Sequence, residues 1–155
     1  MPIDAKTNAF FTQQTERLLR SFTHWTGREL LAPADSFSRL AERLFHAPFV
    51  VVSHGTEPDP ILNYGNQTAL ALWETPWETF TQTPSRLTAE PVSREERARL
   101  LEEVTRKGFI DHYRGIRISR TGRRFFIEQA VVWNLLDEEN RYCGQAATFF
   151  RWNYL

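Results

Sequence analysis

The last third of the sequence constrains the fold most, because it contains three long strand-like runs that are joined by two short turns. The runs are "FIDHYRGIRIS", "RRFFIEQAVVWNLL" and "RYCGQAATFFRW", and the turns are Thr121-Gly122 and "DEEN". Runs rich in β-branched and aromatic residues, bounded by turn residues, are typical of strands. Because such short turns join antiparallel neighbours, this region predicts a three-stranded antiparallel meander.

Two shorter strands and several helices are predicted ahead of this meander. The run "FVVVSH" is short and β-branched, and "ILNYGN" follows it after the loop "GTEPDP". Asn66 is placed to cap the helix "QTALALWE", and Ser93 with Glu96 matches a capping box in "SREERARLLEEVTRKG". The many charged residues of this last helix are predicted to form its solvated face. The order of elements predicts an α+β fold, with a five-stranded antiparallel sheet and short helices on one face.

The N-terminal part of the sequence is predicted to be a helical extension. Apolar residues recur there at the spacing of one helix face: Phe11, Leu18, Phe22 and Trp25. A second amphipathic helix is predicted between Pro33 and Pro48, with its N-cap at Asp35 or Ser36. We therefore divide the chain into an extension, residues 1–47, and a core, residues 48–155, within a single domain overall.

The second face of the predicted sheet is also apolar, so it needs a cover. Phe126, Val132 and Leu136 share one face of the run "RRFFIEQAVVWNLL". Left bare, they would form a contiguous patch of the kind that marks an interaction site. The N-terminal helix is the candidate cover, packing on its own sheet or pairing across a twofold axis. We predict a homodimer through this helix and the outer sheet face.

Charge and composition narrow the classes of partner. Lys and Arg together number 19, as do Asp and Glu, which argues against a nucleic-acid or membrane-surface partner. The basic run of residues 114–124 is therefore predicted to be a solvated hairpin; its arginines are Arg114, Arg117, Arg120, Arg123 and Arg124. The sequence shows no signal-peptide pattern and carries a single cysteine, Cys143, so we predict a cytoplasmic protein.

Several motifs together resemble the MEKHLA domain family in its stand-alone bacterial form. They are "PILNYGNQTALALWE", "PSRLTAEP", "REERARLL", "GIRISRTGRRF", and "WNLLDE" followed by "YCGQAATF". The resemblance runs from about the second helix to Trp152. It implies a PAS-like sensory or interaction domain whose ligand is not established at family level. Plant members of the family lie at the C-terminus of homeodomain–leucine-zipper proteins. The resemblance does not carry over a role in transcription to this chain.

One residue suggests where a ligand could lie. In the run of residues 123–136, strand alternation puts Gln129 on an otherwise apolar face together with Trp133. A buried amide needs a hydrogen-bond partner, which is a ligand, a water or a backbone group. One polar group among aromatic side chains is also typical of small-ligand pockets. Gln129, Trp133 and Trp73 are therefore the candidate pocket residues.

The sequence disfavours the cofactors that PAS-like domains carry. The stretch "TPSRLTAEP" resembles the cysteine-bearing segment of light-sensing LOV domains, with Ser85 at the cysteine position and Arg86 at the phosphate-binding arginine. A serine cannot form the thiol adduct with flavin, although Arg86 stays a candidate ligand-binding residue. Helix 94–107 has no histidine to bind haem, and the four histidines lack metal-ligand spacing.

Two functions follow from these patterns. The first is a non-enzymatic sensory module that binds a small ligand, of unknown identity, between sheet and helices. The second is a protein-interaction module with a filled core and no ligand. No catalytic residue and no metal ligand are predicted, because no catalytic motif is found in the sequence.

Overall fold

The computed structural model describes residues 5–155 and, within them, every side chain except those of residues 5–8 and 91–93. The helices are α1 Ala5–Thr26, α2 Phe37–Phe45, α3 Gln67–Leu72, α4 Trp77–Phe80 and α5 Pro91–Lys107, with a 3-10 turn at Ser85–Thr88. The strands are β1 Val50–His54, β2 Leu62–Gly65, β3 Phe109–Ile118, β4 Arg124–Leu136, β5 Tyr142–Phe149 and β6 Arg151–Tyr154.

The strands form one antiparallel sheet in the order β2-β1-β5-β4-β3. Strand β6 continues the chain after Phe150 and pairs with the first half of β4. The predicted α+β class and the predicted meander of the last three runs are therefore confirmed. The sheet is the middle one of three layers, because helices pack against an apolar core on each of its faces.

Helices α3, α4 and α5 cover the inner face of the sheet. Their buried residues include Leu72, Phe80 and Val104, which pack with strand residues such as Val50 and Phe149. This layer forms because each helix is too short or too polar to be stable alone and is held by its apolar stripe.

Helices α1 and α2 cover the outer face of the same sheet. Phe11, Leu18 and Phe22 of α1 are buried against strand residues that include Trp133 and Leu135. The predicted amphipathic helix is therefore confirmed, and it packs on its own sheet. Among the helices that the structure describes, none combines the length and the apolar character needed to cross a membrane.

A β-bulge in β4 exchanges the two faces of the strand. Tyr113 pairs with Ala130 and Gly115 with Ile127, so β4 carries one residue more than β3 between these pairs. The extra residue is Gln129, whose φ of 52° lies in the left-handed region. One inserted residue sends every later side chain to the opposite face.

The predicted faces of β4 are therefore wrong beyond the bulge. Phe125 and Ile127 lie in the inner core as expected, but Val131, Trp133 and Leu135 lie in the outer core. Val132, which we expected on the outer face, lies in the inner core.

The predicted start of α5 is also wrong. The helix begins at Pro91 with Glu90 as its N-cap, so Ser93 stands inside the first turn and cannot be the cap. Proline suits this first position because its missing N–H would be unpaired there in any case. Glu96 is exposed, and the side chain of Ser93 lies outside the described residues. Gly108 ends the helix at φ 101°, as predicted.

Asn66 is confirmed as the N-cap of α3, and it does more than cap. Its Oδ1 accepts hydrogen bonds from the backbone N–H groups of Ala69 and Val51, each at 3.1 Å. Its Nδ2 donates to the carbonyls of Leu44 at 3.1 Å and Phe49 at 2.8 Å. The side chain is fully buried, and it ties α2, β1 and α3 together with four hydrogen bonds.

Candidate functional site

A cavity of about 70 Å³ lies between the inner face of the sheet and the helices. The central strands supply its floor, and α5, Trp73 and the 3-10 turn supply its roof. Its lining is Val52, Ser53, His54, Leu62, Trp73, Ser85, Thr88, Arg97, Leu101, Tyr113, Arg117, Ile127, Ala130, Val132, Gln145, Ala146, Ala147 and Phe149.

The apolar part of the wall is aromatic and rigid. The Trp73 ring packs edge-on against Phe125, with centroids 5.3 Å apart, and against Phe149 at 6.2 Å. Trp73 is buried, and its indole Nε1 has no hydrogen-bond partner in the described part of the chain. Buried indole N–H groups usually find a partner, which this one lacks.

Gln145 is the buried glutamine of this wall. Its Nε2 lies 2.9 Å from the Leu101 carbonyl, 2.8 Å from Thr105 Oγ1 and 3.1 Å from Asn134 Oδ1. The amide is thereby locked between α5 and β4. These bonds fix α5 over the sheet, and they leave the Nε2 atom of Gln145 committed to protein acceptors.

Two arginines bring positive charge to the cavity. Arg117 on β3 is buried, its Nη1 lies 3.0 Å from the neighbouring Ile116 carbonyl, and its guanidinium stands 5.0 Å from the centre of the Tyr113 ring. Arg97 on α5 is partly buried and donates from Nη2 to Ser85 Oγ. Burial, together with the nearby charge of Arg117, lowers the pKa of Arg97 to about 10. A pKa of about 10 leaves Arg97 cationic at neutral pH, and guanidinium groups are not deprotonated in proteins.

His54 at the end of β1 is neutral in the folded protein. Its Nδ1 lies 2.9 Å from the Gly55 carbonyl, an acceptor, so Nδ1 carries the proton and Nε2 does not. Burial lowers the pKa of His54, the hydrogen bond to Gly55 opposes that shift, and the charge of Arg97 adds to it. A protonated His54 would be a third cation at this wall.

Stability is therefore expected to fall as His54 is forced to take up a proton. Because its folded-state pKa lies below its ordinary value of 6.5, the contribution of His54 is complete above that pH. It is lost as the pH falls from 6.5 toward the folded-state pKa, with a slope of at most about 1.4 kcal/mol per pH unit. Urea unfolding of His54→Gln between pH 5 and 7.5 should show a flatter pH dependence than the wild type.

The matched control for this experiment is His112→Gln, which removes an exposed histidine instead of a buried one. The loss of protein stability that comes from protonating carboxylates in acid is the same in both variants. An equally steep pH dependence in His54→Gln and in wild type would contradict the assignment.

The structure brings one of the four predicted ligand residues to the cavity. Trp73 lines it. Gln129 is exposed at the bulge, and Trp133 lies in the outer core with its ring centre 5.1 Å from that of Phe22. Arg86 is exposed, and its Nε lies 3.2 Å from both carboxylate oxygens of Asp59. Those three residues therefore lie outside this cavity, because the bulge turns the later part of β4 to the other face and Arg86 pairs with Asp59 at the surface.

Three cavity residues were missed by sequence reasoning: Arg97, Arg117 and Gln145. Arg97 stands four and seven residues before Leu101 and Val104, on the apolar stripe of α5. Arg117 stands on the same strand face as Tyr113, and of the five arginines of the predicted solvated hairpin it alone is buried. The periodicity that revealed the apolar faces also contained these two charges, which composition had led us to assign to solvent.

Groups of three or more histidine, cysteine or acidic side chains placed to hold a metal ion are not found within the described range. The cavity lining itself presents hydrogen-bonding side chains, two arginines and apolar side chains.

Comparison with solved structures identifies the fold. A PAS domain from Colwellia psychrerythraea superposes with a TM-score of 0.63 at 14% identity, covering 76% of this chain and 94% of that one. The light-state dimer of the fungal blue-light photoreceptor Vivid superposes at 0.59 with 12% identity, over 86% and 90%. At such identities the likeness shows the fold alone.

Comparison of sequences identifies the family. Homeobox-leucine zipper protein ATHB-14 of Arabidopsis thaliana is 24% identical over 99% of this chain and 18% of its own length. ATHB-9 of the same plant is 27% identical over 89% of this chain and 17% of its own length. The chain thus spans less than a fifth of these relatives. The MEKHLA domain pattern matches residues 12–154. The chain therefore belongs to the MEKHLA domain family, and its fold is PAS-like.

Proposed function

We propose that this chain is a non-enzymatic sensory module, which binds a small ligand in the cavity between the sheet and helices α3 to α5. The observation that carries this proposal is the cavity itself, since well-packed interiors have few voids larger than a water molecule. The competing function, an interaction module with a filled core, does not predict such a cavity.

The size of the cavity limits the ligand. Its volume of about 70 Å³ is less than half of the roughly 150 Å³ that accommodates benzene in an engineered protein cavity. Pockets for drug-sized molecules occupy roughly 300–1,000 Å³. We therefore expect a ligand with only a few non-hydrogen atoms, which argues against a flavin ring system or haem here.

A route for the signal is available in β4. Ala130 and Val132 face the cavity, and Val131 and Trp133 alternate with them on the outer face under α1. The bulge at Gln129 lies immediately before these residues. A ligand that displaces this half of the strand would shift the surface on which α1 packs. We therefore propose that a movement of α1 reports binding.

The test is to fill the cavity. Ala130 is fully buried and lines the cavity, so Ala130→Leu should occupy the space while the chain still folds. Native mass spectrometry and thermal-shift screening against small metabolites should detect a ligand for wild type and not for Ala130→Leu. Ala71→Leu is the matched control, because Ala71 is an exposed helical alanine. Equal binding by wild type and Ala130→Leu would show that the cavity is not the binding site.

The homodimer stays a prediction. Since α1 covers the outer sheet face of its own chain, a dimer would use the surface of α1 and not the sheet face directly. The cytoplasmic location also stays a prediction.

A further inference from the structure

We infer that the cavity binds a short-chain monocarboxylate, with its carboxylate group held by the guanidinium groups of Arg97 and Arg117. The inference rests on the proposed function, because it names the ligand class of the same cavity.

The charge at the cavity is unbalanced. Arg97 and Arg117 both line it, and Arg117 is only 8% exposed. Among the described residues neither arginine has a carboxylate within 4.0 Å, although other arginines there do form such pairs. Buried cations are normally paired, because desolvating an isolated charge is very costly. Two adjacent unpaired cations at one cavity therefore favour an anionic ligand.

The hydrogen-bond donors at the cavity also exceed the acceptors that they reach. A guanidinium has five N–H donors. Within the described residues, Arg97 donates to Ser85 Oγ alone, and Arg117 donates only to the carbonyl of Ile116. The buried Nε1 of Trp73 has no partner there, and among the same residues the unprotonated Nε2 of His54 is a buried acceptor without a partner. A carboxylate offers acceptors only, and guanidinium groups bind it in bidentate geometry.

The remaining part of the cavity wall is apolar, and it favours a ligand whose other atoms are also apolar. Leu62, Leu101, Ile127, Val132 and Phe149 surround the remaining space with hydrocarbon. An inorganic anion would leave this surface without a partner, whereas a short alkyl chain would fill it. Scaled against the benzene-sized cavity, the volume suits about three non-hydrogen atoms. The carbon chain of propionate has three, and its two carboxylate oxygens would lie against the guanidinium groups.

The direct test is a titration of the dialysed wild-type protein at constant ionic strength, followed by NMR chemical shifts. Propionate should bind saturably, while its neutral isostere propionamide should bind at least ten-fold more weakly. Valerate should also bind more weakly than propionate, because its chain exceeds the space. Equal shifts from propionate and from sodium nitrate would reveal an inorganic-anion site and overturn the inference.

Arginine variants separate a binding role from a structural one. Arg117→Met keeps the length of the side chain and removes its charge, so propionate affinity should fall at least ten-fold. Arg114→Met is the matched control, because Arg114 is an exposed arginine on the same strand. Without ligand, Arg117→Met should unfold at a temperature no lower than wild type, since a buried like charge is removed. Unchanged propionate affinity in a folded Arg117→Met would contradict the inference.

The outcomes distinguish this inference from the proposed function. A neutral ligand that Ala130→Leu excludes, combined with no propionate binding, would overturn the carboxylate and leave the sensory module intact. Absence of any small-molecule binding by wild type would overturn both. If Arg117→Met does not fold, the comparison of propionate, propionamide and valerate on wild type decides alone.

Discussion

Replacing Asn66 with alanine is expected to lower the free energy of unfolding by about 3–5 kcal/mol, because the substitution orphans buried backbone groups. The side chain is fully buried and makes hydrogen bonds to four backbone groups on three elements. Each unsatisfied buried donor or acceptor costs about 1–3 kcal/mol. The N–H groups of Val51 and Ala69 would lose the acceptor that the Asn66 side chain provides. An ordinary N-cap contributes only about 1 kcal/mol.

Urea unfolding measures this effect, and two variants sharpen it. Asn153→Ala removes an exposed strand asparagine and should change stability by less than about 0.5 kcal/mol. Asn66→Asp keeps an acceptor for Val51 and Ala69 but places a carboxylate against the Leu44 and Phe49 carbonyls, so it should also be strongly destabilising. A loss below about 1 kcal/mol in Asn66→Ala would mean that Asn66 is merely a cap.

Asn66 illustrates what sequence reasoning can recover. Its role as an N-cap is a local property, because it follows a short strand and stands directly before an apolar helical pattern. The three strands of the meander and the apolar stripe of α1 were predictable for the same reason. The bonds from Asn66 to Leu44 and Phe49 join parts of the chain far apart in sequence, and no local pattern announces them.

The bulge at Gln129 shows where local patterns fail. Strict alternation predicts one face for Phe125, Ile127, Gln129 and Trp133, but a single inserted residue divides that face between two cores. The sequence carries a signal, since Glu128 and Gln129 are two adjacent polar residues in an apolar run. This bulge needs a residue that tolerates positive φ, and tertiary packing decides whether Gln129 forms a bulge or lies buried.

The two arginines of the cavity were not predicted as site residues, for a different reason. Arg97 was counted with the other charges of α5 and Arg117 with the hairpin, because charged residues are rarely buried. Only the approach of α5 to β3 makes them neighbours at one cavity. A functional site that breaks the general rule on buried charge is the part of a protein that composition is least able to predict.

Deleting residues 1–26 is expected to abolish cooperative folding or to cause aggregation, because α1 covers the outer face of the sheet and supplies buried residues to the outer core. Phe11, Leu18 and Phe22 are buried there against a strand face that includes Trp133. The helix is also tied by hydrogen bonds. Trp25 Nε1 donates to the Asn134 carbonyl at 2.9 Å, and Ser21 Oγ accepts the Leu136 N–H at 2.8 Å. Without α1 these groups and a contiguous apolar face would meet water.

Point variants put a magnitude on the same claim. Leu18 is fully buried, so Leu18→Ala should cost about 2–5 kcal/mol, as large-to-small substitutions in cores do. Gln13 lies exposed on the same helix, and Gln13→Ala should be nearly neutral. Light scattering of full-length and shortened chains completes the test, because it also reports whether the full-length protein is a dimer. A shortened chain that keeps its stability and its oligomeric state would show that α1 is not part of the fold, and the outer sheet face would then be free for a partner.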